Sequence, residues 1–240
     1  MNADLLPLII GSTPVERLQS LRSAVDGRIV FTTSFGIEAQ ALTHMIAGAG
    51  LDIELATLDT GRLFPSTYKL WAETEQRYGL KIQSFHPDPG RLAKFIAEKG
   101  VNGFYDSRPA RESCCDIRKV EPMERALAGA SAWIAGLRAD QSDARSGLKL
   151  ATWDAERALI KVTPLFDWTR EAIADFCAAH EVPINPLHAK GFPSIGCEPC
   201  TRAILPGENE RAGRWWWEND EVKECGLHVD ASGRLVRRAA

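Results

Sequence analysis

The sequence predicts an α/β fold: a mostly parallel sheet with helices on both faces. Three observations predict it. Short runs of branched and aromatic residues recur along the first half of the chain, apolar residues at helical spacing separate them, and the runs end in polar or glycine-containing turns. Arg28 to Thr33 reads as the first strand and stops at Ser34-Phe35-Gly36; a helix follows, with Ile37, Ala41, Leu42 and Met45 along one face. Ile53 to Leu58 is the second strand, ending at Asp59-Thr60-Gly61. Ser66 reads as the N-cap of a helix running to Tyr78, with Gly79 as its stop. Lys81 to Phe85 is the third strand, followed by Pro87-Asp88-Pro89-Gly90 and a short helix through Lys99. Ala132 to Leu137 and Leu159 to Val162 supply the fourth and fifth strands. Thr169 reads as the N-cap of a later helix that turns Ile173, Phe176 and Cys177 inward.

Strands alternating with helices require crossover connections, and in such sheets ligands bind outside the carboxyl ends of the strands. Those ends carry Ser34-Phe35-Gly36, Asp59-Thr60-Gly61-Arg62 and Arg138-Ala139-Asp140-Gln141, which are expected to converge on one crevice.

The chain has 240 residues, 45% hydrophobic and 25% charged, with a net charge of −3. That balance excludes a wholly disordered chain and argues against broad binding to nucleic acid or to an acidic membrane surface. The apolar patches Leu5 to Ile10 and Ala41 to Leu51 are too short or too interrupted to span a bilayer, and Met1-Asn2-Ala3-Asp4 lacks the positive charge of a signal peptide. The expectation is a soluble cytoplasmic protein. Beyond His180 the texture becomes rich in Pro and Gly, and a charged, Trp-bearing tail follows. This places a boundary near Leu205, between a compact domain (1–205) and a mobile C-terminal segment (206–240). Trp215-Trp216-Trp217 is expected to anchor that segment against the domain.

The cysteines, 6 in number, are unevenly placed. Cys114 and Cys115 are adjacent, and Cys197 and Cys200 form a C-x-x-C pair. In a reducing compartment such clusters more often bind metal or do chemistry than form disulfides. Together they offer a thiolate set suited to a 4Fe–4S cluster or to zinc; adjacent cysteines reach two corners of a cluster more readily than they wrap one ion, which favours the cluster. A redox pair and simple packing are the other readings. Cys177, one turn after Ile173 on an apolar face, reads as core. Cys225, in Glu224-Cys225-Gly226-Leu227-His228, is either an incidental exposed thiol or a nucleophile. Arg62, Lys119, Arg138, Arg202, Arg211 and Arg214 cluster near the expected crevice and together suit an anionic ligand such as a nucleotide. The turn at Ser34-Phe35-Gly36 adds backbone donors at a helix start. Gly48-Ala49-Gly50 precedes a strand and lacks a third glycine, so it is no dinucleotide fingerprint.

These stretches together resemble the assimilatory sulfonucleotide reductases, specifically the iron–sulfur type that reduces adenosine 5′-phosphosulfate (APS). The resemblance is carried by Ser34-Phe35-Gly36, Leu58 to Leu63, Cys114 to Lys119, Arg138 to Ser142, Gly196 to Arg202, Arg211 to Glu218 and Glu224 to His228, in family order from Ser34 to His228. It implies a fold like that of adenine-nucleotide α-hydrolases, and a 4Fe–4S cluster on Cys114, Cys115, Cys197 and Cys200. It also implies that Cys225 attacks the sulfur of APS, leaving an S-sulfocysteine that reduced thioredoxin or a glutaredoxin-like donor resolves to sulfite. By the same resemblance, Lys119 offsets charge at the reacting sulfate, and Arg138, Arg202, Arg211 and Arg214 hold the phosphosulfate. Ser34, Gly36, Leu58, Thr60, Gly61, Arg62 and Gln141 would line the nucleotide pocket. Ser107 to Ser113 reads as an Arg-containing loop with no role for Arg108 or Arg111. The rival readings are a reductase for the 3′-phosphorylated substrate (PAPS) or for both substrates, an ATP pyrophosphatase-like enzyme, and a zinc-stabilised binding module; a homo-oligomer is left open.

Overall fold

Alternation along the strands decides the layers. In the computed structural model, which describes residues 2–142 and 145–218, six strands form one sheet among the described residues. They are β1 (Ile29–Thr33), β2 (Glu54–Leu58), β3 (Gln83–Phe85), β4 (Ala132–Ala135), β5 (Ala151–Asp154) and β6 (Leu159–Val162). Ile29 and Phe31 of β1, with Ala132 and Ile134 of β4, enter one apolar core, while Val30, Trp133 and Ala135 enter a second on the opposite face. The first core is closed by α1 (Pro14–Ala24), α2 (Ile37–Gly48), α3 (Pro65–Tyr78) and α7 (Arg170–Ala179), through Leu18, Leu42, Leu70 and Ile173. The second is closed by α4 (Pro89–Lys99), α5 (Arg108–Cys115) and α6 (Glu121–Leu127), through Phe95, Met123 and Leu127. An α/β sheet buried on both faces is thus the architecture.

The strand order is β3-β2-β1-β4-β6-β5, parallel except for β5, which runs antiparallel to β6. Phe31 of β1 lies opposite Leu55 on one side and Ile134 on the other. The order reverses between β1 and β4, so the crevice at a topological switch point opens at their carboxyl ends.

The five expected strands are present, trimmed by up to two residues at their ends. The Thr169 cap is present, its hydroxyl accepting from Ala172 N at 3.1 Å, and Gly79 ends α3 in the left-handed region at φ 62°. Three features differ from the sequence reading. Phe64, not Ser66, is the N-cap of α3, because Pro65 suits the first helical turn and needs no N–H there. The stretch from Ser107 is a helix rather than a loop: the Ser107 side chain caps Ala110 N at 3.3 Å and Pro109 sits in the first turn. Helix α1, opened by a Thr13–Glu16 capping box, and edge strand β5 were not expected.

After α5 the chain makes one turn of π-helix, Asp116–Val120, before α6. This wider turn follows the adjacent cysteines directly and buries Arg118 and Lys119 behind them. No helix among the described residues is long and apolar enough to cross a membrane.

Candidate functional site

The turn after β1 is built under strain. Phe35 holds φ 58°, a region unfavourable for a side chain with a Cβ, and is retained by its burial and its stack on Trp71 at 5.6 Å. The turn sets Gly36 at the start of α2 as an N-cap without a side-chain hydrogen bond, leaving helix-end N–H groups directed at the crevice. After β2, Gly61 at φ 67° completes a turn in which its N–H donates to Asp59 Oδ1 at 2.9 Å and Arg62 N donates to Thr60 Oγ1 at 3.2 Å.

A cavity of about 210 Å³ opens where these turns meet the turn after β4. Ser34, Gly36, Leu58, Thr60, Lys119, Gln141, Arg211 and Arg214 line it, all of them expected site residues, with Cys197 and the neighbouring Gly196 on its wall. Glu38, Arg145, Ser194 and Glu210 also line it and were not singled out from sequence. The chain from 206 to 218 lies against the α/β body rather than away from it. It pairs back on the C-x-x-C segment, with Arg202 N donating to Gly213 O at 3.0 Å and Trp215 N donating to Cys200 O at 3.1 Å. Trp215 is only 1% exposed, and Trp217 packs on Tyr105 at 4.4 Å, while Trp216 remains exposed.

The cations around the cavity differ in how they are balanced. Arg138 is fully buried, at 0% exposure, and is enclosed by carboxylates. Its Nε donates to Glu38 Oε1 at 2.9 Å, its Nη2 donates to both Glu210 oxygens at 3.0 Å, and its Nη1 donates to Asp140. Those carboxylates more than offset the burial that would pull the guanidinium pKa down. Glu210, also bonded to Arg170 at 3.2 Å, has its carboxyl pushed up by burial despite those arginines. Arg202 is committed to Glu208 through two bonds of 2.8 Å, and Arg62 donates to Asn102 Oδ1 at 3.0 Å and to Val101 O while lying over the Phe104 ring. Arg62, Gly61, Arg138 and Arg202 do not line the cavity.

Arg214 is the contrasting case. It is 6% exposed, lines the cavity, and lies over the Trp215 ring with its Cζ 5.0 Å from the centroid. Among the described residues it has no carboxylate partner, and its Nε has no hydrogen-bond partner. A buried guanidinium with no carboxylate partner, facing a cavity, has donors left for an anion, and its charge also acts on the Cys197 and Cys200 thiols. Lys119 is beside it, its ammonium 6.0 Å from the same ring centroid.

Cys114, Cys115, Cys197 and Cys200 are all buried and free, and they belong to the same apolar core. Cys197 donates to Thr60 Oγ1 at 3.3 Å. Burial raises its thiol, but Lys119, the Thr60 hydroxyl, Arg214 and Arg118 outweigh that and leave it below the usual thiol range. Burial and the neighbouring Cys197 charge push Cys200 up to about 12; burial also raises Cys114, against Arg118. Arg111 closes this side: it donates to the Glu218 carboxylate at 2.8 and 2.9 Å and lies 4.7 Å over Trp215. Among the described residues no group of three or more His, Cys, Asp or Glu is arranged as one that could hold a metal ion. The donor set nonetheless suits an iron–sulfur cluster, since the thiols are close enough to perturb one another and are ringed by cations that offset thiolate charge. Cys177 is a core residue as expected, with burial pushing its thiol up to about 12. Cys225 lies outside the described residues.

Fold and crevice define a class: an α/β domain with a mostly parallel sheet covered on both faces and a cavity at the strand-order reversal. Residues 28–203 match the family described as the phosphoadenosine phosphosulfate reductase domain, and the chain belongs to that family. Among curated relatives, the adenosine 5′-phosphosulfate reductase of Sinorhizobium fredii (strain USDA 257) is 54% identical, over 91% of this chain and 87% of its own length. The protein of the same name from Allochromatium vinosum is 51% identical, over 89% and 83%. Among solved structures, phosphoadenylyl-sulfate (PAPS) reductase from Candida auris superposes with a TM-score of 0.69 at 22% identity, covering 85% of this chain and 96% of that one. Yeast FAD synthetase gives a TM-score of 0.52 at 17% identity, covering 84% and 72%. These two share the fold.

Proposed function

We propose that this chain is an oxidoreductase that reduces adenosine 5′-phosphosulfate to sulfite and AMP, within sulfate assimilation and in the cytoplasm. The observation that carries the proposal is the buried Arg214 guanidinium, without a carboxylate partner among the described residues, on the wall of a cavity at the carboxyl ends of β1 and β4. Relatives above 50% identity over most of both chains, named for this substrate, support it.

In this reading the nucleoside lies along Leu58 and Thr60, and the phosphosulfate faces the start of α2, Lys119, Arg211 and Arg214. The Cys225 thiolate attacks the sulfate sulfur, the S–O bond to the phosphate breaks, and AMP leaves with that electron pair. Enzyme-bound S-sulfocysteine remains. A dithiol protein of the thioredoxin or glutaredoxin type then attacks the Cys225 sulfur and releases sulfite; its second thiol displaces Cys225 as a thiolate. The sulfate sulfur is reduced by two electrons as the dithiol becomes a disulfide. The cations offset the charge of two anions brought together. Cys114, Cys115, Cys197 and Cys200 would hold a 4Fe–4S cluster, which would supply a structural and electrostatic centre beside Lys119. The test is mass spectrometry after incubation with the substrate and no reductant: a sulfonate adduct on the peptide bearing Cys225 is expected, and sulfite production by Cys225→Ser would refute the nucleophile.

A further inference from the structure

Gly196 occupies a position whose backbone does not demand glycine, since its φ lies outside the left-handed region. Its surroundings do demand one. A Cβ at Gly196 would lie within 2.5 Å of Cζ, Nη1 and Nη2 of Arg214, so the whole guanidinium fork rests against the bare α-carbon. We infer that Gly196 is a positioning residue for Arg214: the missing side chain is the slot that lets this guanidinium lie on the cavity wall. The inference rests on the reading that Arg214 seats the substrate anion.

The rest of the surroundings fix where Arg214 begins and what it lies on. Its backbone is fixed by the bridge to Thr201, and its guanidinium lies over Trp215. Gly213, the residue before it, plays a different part: a Cβ there would strike the Arg202 carbonyl oxygen, which is backbone and cannot move without breaking the 202–213 pairing. At Gly196 the atoms in the way are the far end of a flexible side chain. Gly196→Ala therefore leaves the backbone path available and moves the guanidinium off the wall, whereas a side chain at 213 attacks the frame itself.

The test is a double-mutant cycle on the anaerobically purified holoenzyme, with adenosine 5′-phosphosulfate as the titrant. Each protein also carries Cys225→Ser, so that the ligand binds without reacting; Kd is measured for this parent and for Gly196→Ala, Arg214→Ala and the double variant made in it, with melting temperature and iron content recorded for each. Gly196→Ala is expected to weaken binding about tenfold and Arg214→Ala by about ten- to a hundredfold, the range for losing a charged hydrogen-bonding group. The double variant is expected to match Arg214→Ala, because residues acting through one another are not additive. It is also expected to melt no lower than Arg214→Ala, since the group in the way is gone. An equal further loss of affinity from Gly196→Ala in the Arg214→Ala background, or a lower melting temperature there, overturns the inference while leaving the anion seat standing. Unchanged binding in Arg214→Ala alone overturns the anion seat itself, and the inference with it.

Discussion

Arg138 and Arg214 are both buried arginines from the turns around one cavity, and they are in opposite electrostatic states. Arg138 is surrounded by Glu38, Asp140 and Glu210, whereas Arg214 has no carboxylate partner among the described residues. The first has its charge satisfied by the fold and holds the segment 206–218 to the body. The second lines the cavity with its Nε lacking a hydrogen-bond partner. A cluster of cations in a sequence thus divides into those paired within the fold and those left facing a cavity, and the division is made by carboxylates elsewhere in the chain.

The largest effect that would break this comparison is on stability. Arg138→Ala takes the guanidinium from the buried Glu38 carboxylate and leaves the half-buried Glu210 with Arg170 alone, and is expected to cost about 3–5 kcal/mol in denaturant unfolding. An unchanged midpoint would show that Arg138 is not the structural member of the pair. Glu210→Gln keeps the shape and one acceptor while removing a charge that burial already disfavours, so its cost should be nearer 1 kcal/mol. A loss as large as that of Arg138→Ala would contradict the ranking.

A milder effect should follow pH. Burial first, and then the charge of Arg170, lower the His188 pKa from 6.5, while its Nδ1 lies 2.9 Å from Phe192 O. The folded state therefore keeps His188 neutral where the unfolded chain takes a proton. Its contribution is harmless above 6.5, and stability is lost as pH falls from 6.5 toward the depressed folded value. Replacing His188 with Asn should flatten that part of the stability profile; an unchanged slope would remove it from the account. Smallest of all, Arg202→Ala breaks a partly exposed pair with Glu208 and should shift stability by less than about 1 kcal/mol. A larger shift would place Arg202 with Arg138.

Much of the frame is legible because it is local. The alternation of Ile29, Val30 and Phe31 between the two cores, the Thr169 cap and the Gly79 stop each lie within a few residues of what they determine. The adjacent cysteines and the C-x-x-C pair are equally visible, and the structure brings all four into one core. What escapes is long-range or weakly patterned. Strand β5, Ala-Thr-Trp-Asp at the sheet edge, lacks a buried alternation. The helix beginning after Ser107 has a Ser-x-Pro start, a short signal that reads equally as a turn. The pairing that sorts the arginines spans 100 residues for Arg138 with Glu38, 72 with Glu210, and 107 for Arg111 with Glu218, distances over which a single sequence carries no pairing signal.

The central claim is that the Arg214 guanidinium, which has no carboxylate partner among the described residues, binds the ligand's anion. The most direct measurement is calorimetric titration of adenosine 5′-phosphosulfate, and of adenosine alone, into two proteins that carry Cys225→Ser to prevent reaction, one with Arg214 and one with Arg214→Ala. The account predicts that the phosphosulfate loses about ten- to a hundredfold in affinity while adenosine is unaffected. Equal phosphosulfate affinity in the two proteins, or an equal loss for both ligands, would contradict it.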